Sequence, residues 1–308
     1  MLPSTTHDPW PALPLREWQD TYATLHRWLQ VVGKTRLALA PRQNHWWHVV
    51  LYLTSRGLGT SPMPIDDRTF ELELDFLDHQ LVARTSDGDT RTLPLAPHSV
   101  AVFYREYIDM LRSLEIAPRI HPVPVEIADA MPFLDDRAHA SYDSDAAQRC
   151  WRILMSADEL LKEFRGRFVG KCSPSQFFWG SYDLACTRFS GRRAPLHPGG
   201  IPNCPDYVAH EAYSHECISA GWWPGALGSP IEEPAFYAYA YPEPAGCPDA
   251  AIAPASATYN PTMREWILPY EAVRSSADPK AMVMEFLQST YEAAATRGGW
   301  SIELERNR

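Results

Sequence analysis

The chain has 308 residues, 45% of them hydrophobic, enough for one large domain or two packed halves with a sizeable core. Its formal net charge is −10 and it has no Lys/Arg run, which argues against a nucleic acid or an anionic membrane as main partner, since both call for a basic surface. No apolar stretch approaches the ~20 residues that cross a bilayer, and Met1–Trp10 lacks the basic-then-apolar order of a signal peptide. The expected location is therefore cytoplasmic, with the six scattered cysteines as free thiols.

Taken in order, residues 1–14 are Pro-rich and read as irregular. Residues 15–32 carry Leu15, Trp18, Tyr22, Leu25, Trp28, Leu29 and Val32 at spacings of three and four, the signature of an amphipathic helix. Residues 45–54 are aromatic and β-branched and predict a strand. Residues 69–76 alternate apolar and acidic, the pattern of a half-buried strand, and 80–85 return as its hairpin partner. A turn at 87–89 and a helix over 99–114 follow. The prolines of 121–127 allow an edge strand at best. Residues 128–143 read as a linker.

Beyond it, residues 145–166 predict a long helix, with Asp145 as N-cap and Gly166 as its end. Strands are expected at 176–187, 211–223, 235–241 and 264–268, and a last helix over 279–297 stops at Gly298-Gly299. Segments 192–206 and 242–258 are Pro/Gly/Ala-rich loops.

An internal echo accompanies this order. Pro41, Gln43, Trp46, Leu51 and Thr54 recur 133 positions later as Pro174, Gln176, Trp179, Leu184 and Thr187. Val32-Gly33-Lys34 recurs as Val169-Gly170-Lys171. The expected fold class is α+β: two related helix–antiparallel sheet–helix units, 15–127 and 144–308, packed about a pseudo-twofold axis. Ligands often bind at such interfaces.

Alternation along a strand would place Trp46 and His48 on one face of the first unit, and Trp179, Ser181 and Asp183 on the matching face of the second. Polar groups among large aromatics need partners, and a ligand can supply them. The segment His210-Glu211-Ala-Tyr-Ser-His215-Glu216 holds imidazole and carboxylate groups. On a helix His210 and His215 would stand about 140° apart and could not chelate together. Glu211 and His215, four apart, would share a helical face; on a strand they share one too, but too far apart to bind one metal directly. With His197 from the preceding loop they are the candidate ligands of a divalent metal, iron or zinc. Without a metal, His215, Glu216 and Glu211, together with His48 and Asp183, are candidates for acid–base work. The loop from Thr187 to Gly200 offers Arg188 and Arg192, whose planar donor forks suit an anion. Cys172, after Lys171, is a candidate reactive thiol. No GxSxG, GxGxxG or P-loop order occurs.

The block Gly170-Lys-Cys-Ser-Pro-Ser-Gln-Phe-Phe-Trp-Gly-Ser-Tyr-Asp-Leu-Ala-Cys-Thr-Arg-Phe-Ser-Gly-Arg-Arg-Ala-Pro195 resembles the hallmark of a bacterial family known only as a domain of unknown function. Asn44-His-Trp-Trp-His48, Ala212-Tyr-Ser-His-Glu216, Glu233-Pro-Ala-Phe-Tyr237 and Phe286-Leu-Gln-Ser-Thr-Tyr-Glu292 fit it as well. The resemblance covers nearly the whole chain and implies a bacterial, single-chain, intracellular protein; it implies no activity. This chain departs from the family pattern at Gln176, where a His is usual, and at His210, where an Arg is usual.

The leading expectation is a small-molecule enzyme with a polar and aromatic pocket between the two units, binding an anionic substrate through Trp46, Trp179, Ser181, Arg188 and Arg192. The rival is a non-catalytic small-ligand-binding or sensor protein.

Overall fold

The structure, a computed structural model, describes residues 8–304. The outermost residues of the expected N-terminal segment and second unit, 1–7 and 305–308, lie outside the described residues.

Helix α1 spans Leu15–Leu39, seven residues beyond the apolar pattern that announced it. Its first turn has no side-chain cap of its own; Glu233, from a loop more than two hundred residues away, accepts from Leu15 N (3.0 Å). The carboxylate thus satisfies an orphan donor at the positive end of the helix. After a 3-10 turn at Asn44–Trp46 come β1 (Tyr52–Leu53), β2 (Gly57–Gly59), β3 (Met63–Ile65), β4 (Arg68–Asp75), β5 (Gln80–Thr85) and β6 (Thr90–Pro94). They form one antiparallel sheet in the order β1-β2-β4-β5-β6, with β3 continuing along β4 beyond β2. The alternation read at 69–76 is real: Phe70, Leu72 and Leu74 are buried, while Glu71 and Glu73 stand on the other face near Arg84. Helix α2 (Val100–Arg112) starts at Ser99, whose side chain accepts from Val102 N.

The second half opens with α3 (Ser144–Gly166), capped by Asp143 rather than Asp145; Asp143 Oδ1 accepts from Asp145 N and Ala146 N. Then follow β7 (Gln176–Phe178), β8 (Asp183–Arg193), α4 (Asp206–Ala212), β9 (His215–Trp223), β10 (Ala235–Tyr241), β11 (Thr258–Asn260), β12 (Glu265–Pro269), α5 (Tyr270–Arg274) and α6 (Pro279–Arg297). The sheet order is β11-β12-β10-β9-β8-β7. Both sheets are antiparallel and six-stranded, flanked by long helices, so the fold is α+β. Trp222, Phe236, Trp266 and Leu268 turn one face of the second sheet into the main core, which α1, α3 and α6 complete. The expected edge strand at 121–127 does not form, and 113–143 holds no helix or strand.

Three local expectations are corrected. Residues 45–54 are not one strand, because Trp47 N and Val49 N bond back to Asn44 O and Trp46 O and curl the chain, with His45 and Trp46 both at positive φ. Residues 176–187 are a hairpin that turns at 179–182. Residues 211–223 change from helix to strand between Ala212 and His215, so no single face carries that motif. The Val-Gly-Lys triplets are not equivalent either: the first lies inside α1, the second in the loop after α3.

The Trp-bearing segments nevertheless meet. Leu51 and Phe177 exchange both backbone hydrogen bonds (2.9 Å each), and Trp179 Nε1 donates to Val49 O (2.7 Å). The Trp179 ring lies against Gly33, where a Cβ would come within 2.4 Å of it. Only glycine lets helix and ring approach this closely.

Candidate functional site

The face of the second sheet turned away from α3 and α6 carries Asp183 of β8, Trp223 of β9, Ala235, Tyr237 and Tyr239 of β10, and Glu265 and Ile267 of β12. These positions alternate with the core-facing set, as the period of a strand requires. They form the wall of a cavity of about 510 Å³. The opposite wall is Tyr22 and His26 of α1 with Glu126 and Ile127 of the irregular segment. A smaller cavity of about 200 Å³ adjoins it; Glu126, Ser181, Asp183, Tyr213, Tyr237 and Tyr239 line both, and His45 and Trp46 line the smaller.

Asp183 sits at the centre and is nearly out of contact with solvent. Ser181 and Tyr237 hydroxyls both donate to its carboxylate. Burial pushes its pKa up, and these two bonds pull it back. Tyr237 reaches Asp183 by lying across Gly221, where any Cβ would come within 2.7 Å of the phenol oxygen and 2.1 Å of Leu184 O. Ser181 is itself fixed, since Trp223 Nε1 donates to its carbonyl (3.1 Å). The Tyr213 and Tyr239 hydroxyls bond to each other (2.8 Å).

Glu126 enters from the other side. Gln30 of α1 clamps the preceding residue, donating to Val125 O (2.7 Å) and accepting from Val125 N (2.8 Å). Glu126 N donates to Pro202 O (2.7 Å), and Asn203 Nδ2 donates to Ile127 O (2.6 Å). The backbone at Glu126 has φ +62°, a left-handed conformation that a residue with a Cβ adopts only when its surroundings impose it. Its carboxyl lies over Gly180, where a Cβ would be 2.0 Å from Oε1. The residue is exposed where it lines the two cavities, yet protein crowds around its carboxyl. That desolvation, reinforced by the charge of Asp183, pushes Glu126 up to about 7. The same two causes push Glu265, on β12, up to about 8. His26 is buried, its Nε2 within 2.9 Å of Gly180 O and 3.1 Å of Trp179 O, and burial lowers it to about 4. It is a neutral imidazole with its proton on Nε2, donated to the turn that carries Ser181.

Three carboxyl groups and four tyrosines therefore face one space, and among the described residues no Lys or Arg lines it. Neither Glu126 nor Glu265 receives a hydrogen bond from another described residue. Two carboxyls with pKa values near neutrality can give or take a proton at ordinary pH.

Of the residues singled out from the sequence, Asp183 and Ser181 line the main cavity and Trp46 the smaller one. Trp179 lines neither; its ring joins the halves. His48 is buried and accepts from Gln43 N (3.3 Å), a structural role. The two arginines do not form an anion site. Arg188 points to the helix side of β8, over the Phe164 ring (3.4 Å) and Tyr291 ring (4.3 Å). Arg192 pairs with Glu216 (2.7 Å) and donates to Gly298 O and Gly299 O, tying β8 to the end of α6. Nor do the expected metal ligands converge: Glu211 pairs with Arg42 (2.5 Å), His197 stacks on Tyr213 (4.6 Å), and His215 bonds to Ser214 (3.1 Å). Among the described residues no group of three or more His, Cys, Asp or Glu is placed to hold a metal ion. His215, Glu211 and Glu216 lie outside the main cavity.

Sequence reasoning missed Glu126, Glu265, Tyr22, His26, Tyr237 and Tyr239. One signal was available: in Ala235–Tyr241 tyrosines recur at every second position, and so define one face.

The chain belongs to a family of unknown function, DUF5996, whose match covers residues 10–306. No curated protein and no solved structure matches it. No helix among the described residues is long and apolar enough to cross a membrane.

Proposed function

We propose that this protein is a small-molecule enzyme of the cytoplasm that takes an amine-bearing or otherwise cationic ligand into the cavity over the second sheet. One observation carries the reading: Glu126, Asp183 and Glu265 converge with tyrosines and Trp223 on a space that, among the described residues, no Lys or Arg lines. Aromatic faces and carboxylates together favour a cation. A cation bound there would also offset the repulsion from Asp183 that, after desolvation, raises the two glutamates. The anion expected from the arginine loop would meet that repulsion instead. In this reading Glu126 and Glu265 exchange protons with the substrate, and Asp183, held by Ser181 and Tyr237, supplies fixed negative charge.

The second reading is a binding or sensor protein without turnover. It is favoured by Asp183 itself, each of whose carboxylate oxygens already accepts from a hydroxyl.

A matched panel of amines, neutral polyols and carboxylates, screened by thermal shift and then by calorimetry in two buffers of different ionisation enthalpy, tests both. Amine binding with proton release, abolished by Glu265→Gln, is the expected result. Binding of carboxylates alone would overturn the proposal. NMR of bound amines then separates enzyme from binder: a new product signal marks the first, an unchanged ligand over long incubation the second.

A further inference from the structure

Away from the cavity, on the helix side of β8, two thiols face each other. Cys172 Sγ and Cys186 Sγ are 3.5 Å apart. Cys172 forms an isolated antiparallel bridge with Arg188, and the flanking bonds Ser173 N to Thr187 O (2.8 Å) and Phe189 N to Lys171 O (2.9 Å) hold both chains in register. The two residues are therefore diagonal neighbours across a fixed ladder. Closing a bond of ~2 Å needs the sulfurs to approach by roughly 1.5 Å.

The two thiols differ in a useful way. Cys172 is half-buried, while Cys186 is sealed in the core. The Cys186 thiol is also within reach of Ser173 O (3.7 Å). The hydrogen bond from Cys186 and the positive charges of Arg188 and Arg165 hold Cys172 below the ordinary thiol range against its own burial, and Cys186 is driven well above it. Arg165 is locked in place by its own bond to Ser173 O (2.9 Å). An accessible, charge-stabilised sulfur beside a shielded, protonated one is the pairing of an attacking and a resolving thiol.

We propose that Cys172 and Cys186 form a redox modification site: a reversible disulfide made on exposure to a hydroperoxide. The Cys172 thiolate attacks the peroxide oxygen, the O–O bond breaks, and Cys172 becomes a sulfenic acid as hydroxide leaves and takes up a proton. Cys186 sulfur then displaces the hydroxyl from the sulfenic sulfur; its own proton leaves with that hydroxyl as water. Two thiols lose two electrons in all, and one hydrogen peroxide becomes two waters. A transient disulfide of this kind is compatible with a reducing compartment, where such bonds serve sensing rather than structure. It would act at short range on the smaller cavity. Lys171, next to Cys172, donates to His45 Nε2 (2.7 Å), and Thr187, next to Cys186, lines the same space.

The test uses the whole native protein. Hydrogen peroxide at a small molar excess is followed by alkylation in denaturant and peptide mapping. Two of the six thiols should disappear, a single cross-linked peptide pair containing Cys172 and Cys186 should appear, and dithiothreitol should restore all six. Cys172→Ser should leave Cys186 fully alkylated after peroxide. Because Cys186→Ser alters the core, Cys172→Ser is the deciding variant. Oxidation of Cys172 to a sulfinate with Cys186 still alkylated would overturn the proposal, as would pairing of either thiol with Cys150, Cys204, Cys217 or Cys247.

Discussion

Phe236, Trp222 and Leu268 leave the second sheet toward the helices, while Tyr237, Trp223 and Ile267, one position along the same strands, leave it toward the cavity. The helix side is largely hydrocarbon, and the buried Arg188 there is wrapped in the rings of Phe164, Phe168 and Tyr291. The cavity side is built of groups that satisfy one another in part, hydroxyl to carboxylate and hydroxyl to hydroxyl, and that leave two carboxyls without a donor among the described residues. A sheet covered on both faces is ordinary. Here one face is closed by side chains, and in the proposed reading the other is left for a ligand to close.

Substitutions on the two faces should separate these roles. Trp222→Ala, on the helix side, should cost the most, about 3–5 kcal/mol of unfolding free energy by chemical denaturation. The folded fraction should bind ligand as before; a selective loss of binding would break the division. Gly221→Ala sits on the boundary. Its methyl must displace Tyr237 and the backbone of β8, so a loss of about 1–3 kcal/mol should come together with lost binding. Tyr237→Phe removes one of two donors to buried Asp183 and should cost ~1–3 kcal/mol, with its main effect on ligand affinity.

On stability, Glu265→Gln should have the smallest effect, and that effect should depend on pH. Glu126 and Glu265 are raised in the folded protein from an unfolded value of 4.5 to about 7 and about 8. The folded state therefore holds protons that the unfolded state gives up. Their stabilisation is complete below 4.5 and is lost as pH rises through about 7 to about 8. His26, lowered from 6.5 to about 4, works the other way, but only below 6.5. Between 6.5 and about 8 the melting temperature should fall with rising pH, and Glu265→Gln should flatten that fall. An unchanged slope in the variant would place the titration elsewhere.

Much of the framework was readable in the chain. Apolar spacing announced α1 and the acidic alternation announced β4, because local periodicity is what a helix or strand needs in order to bury one side; end signals bracketed α3 and α6. The site was less readable. Asp183 and Ser181 were found because they lie beside large aromatics in one short segment. Glu126 was not, because its place depends on Gln30, Pro202 and Asn203, and none of these is near it in sequence. The arginines misled for a related reason: residue type signals a charge, and only packing reveals whether rings, carbonyls or a ligand answer it. The segment from His210 to Glu216 looked like one constellation, yet a helix ends and a strand begins inside it.

The paired exchange between Leu51 and Phe177 has a consequence for how the protein can be handled. It engages the border strands β1 and β7, so two rims that would otherwise offer unpaired amides to any passing chain occupy each other. Dividing the molecule between its halves would uncover both rims and strip Trp179 from its seat on Gly33. Each fragment would then carry a sticky margin, and self-association, rather than an isolated working module, is what expression of either one alone should yield.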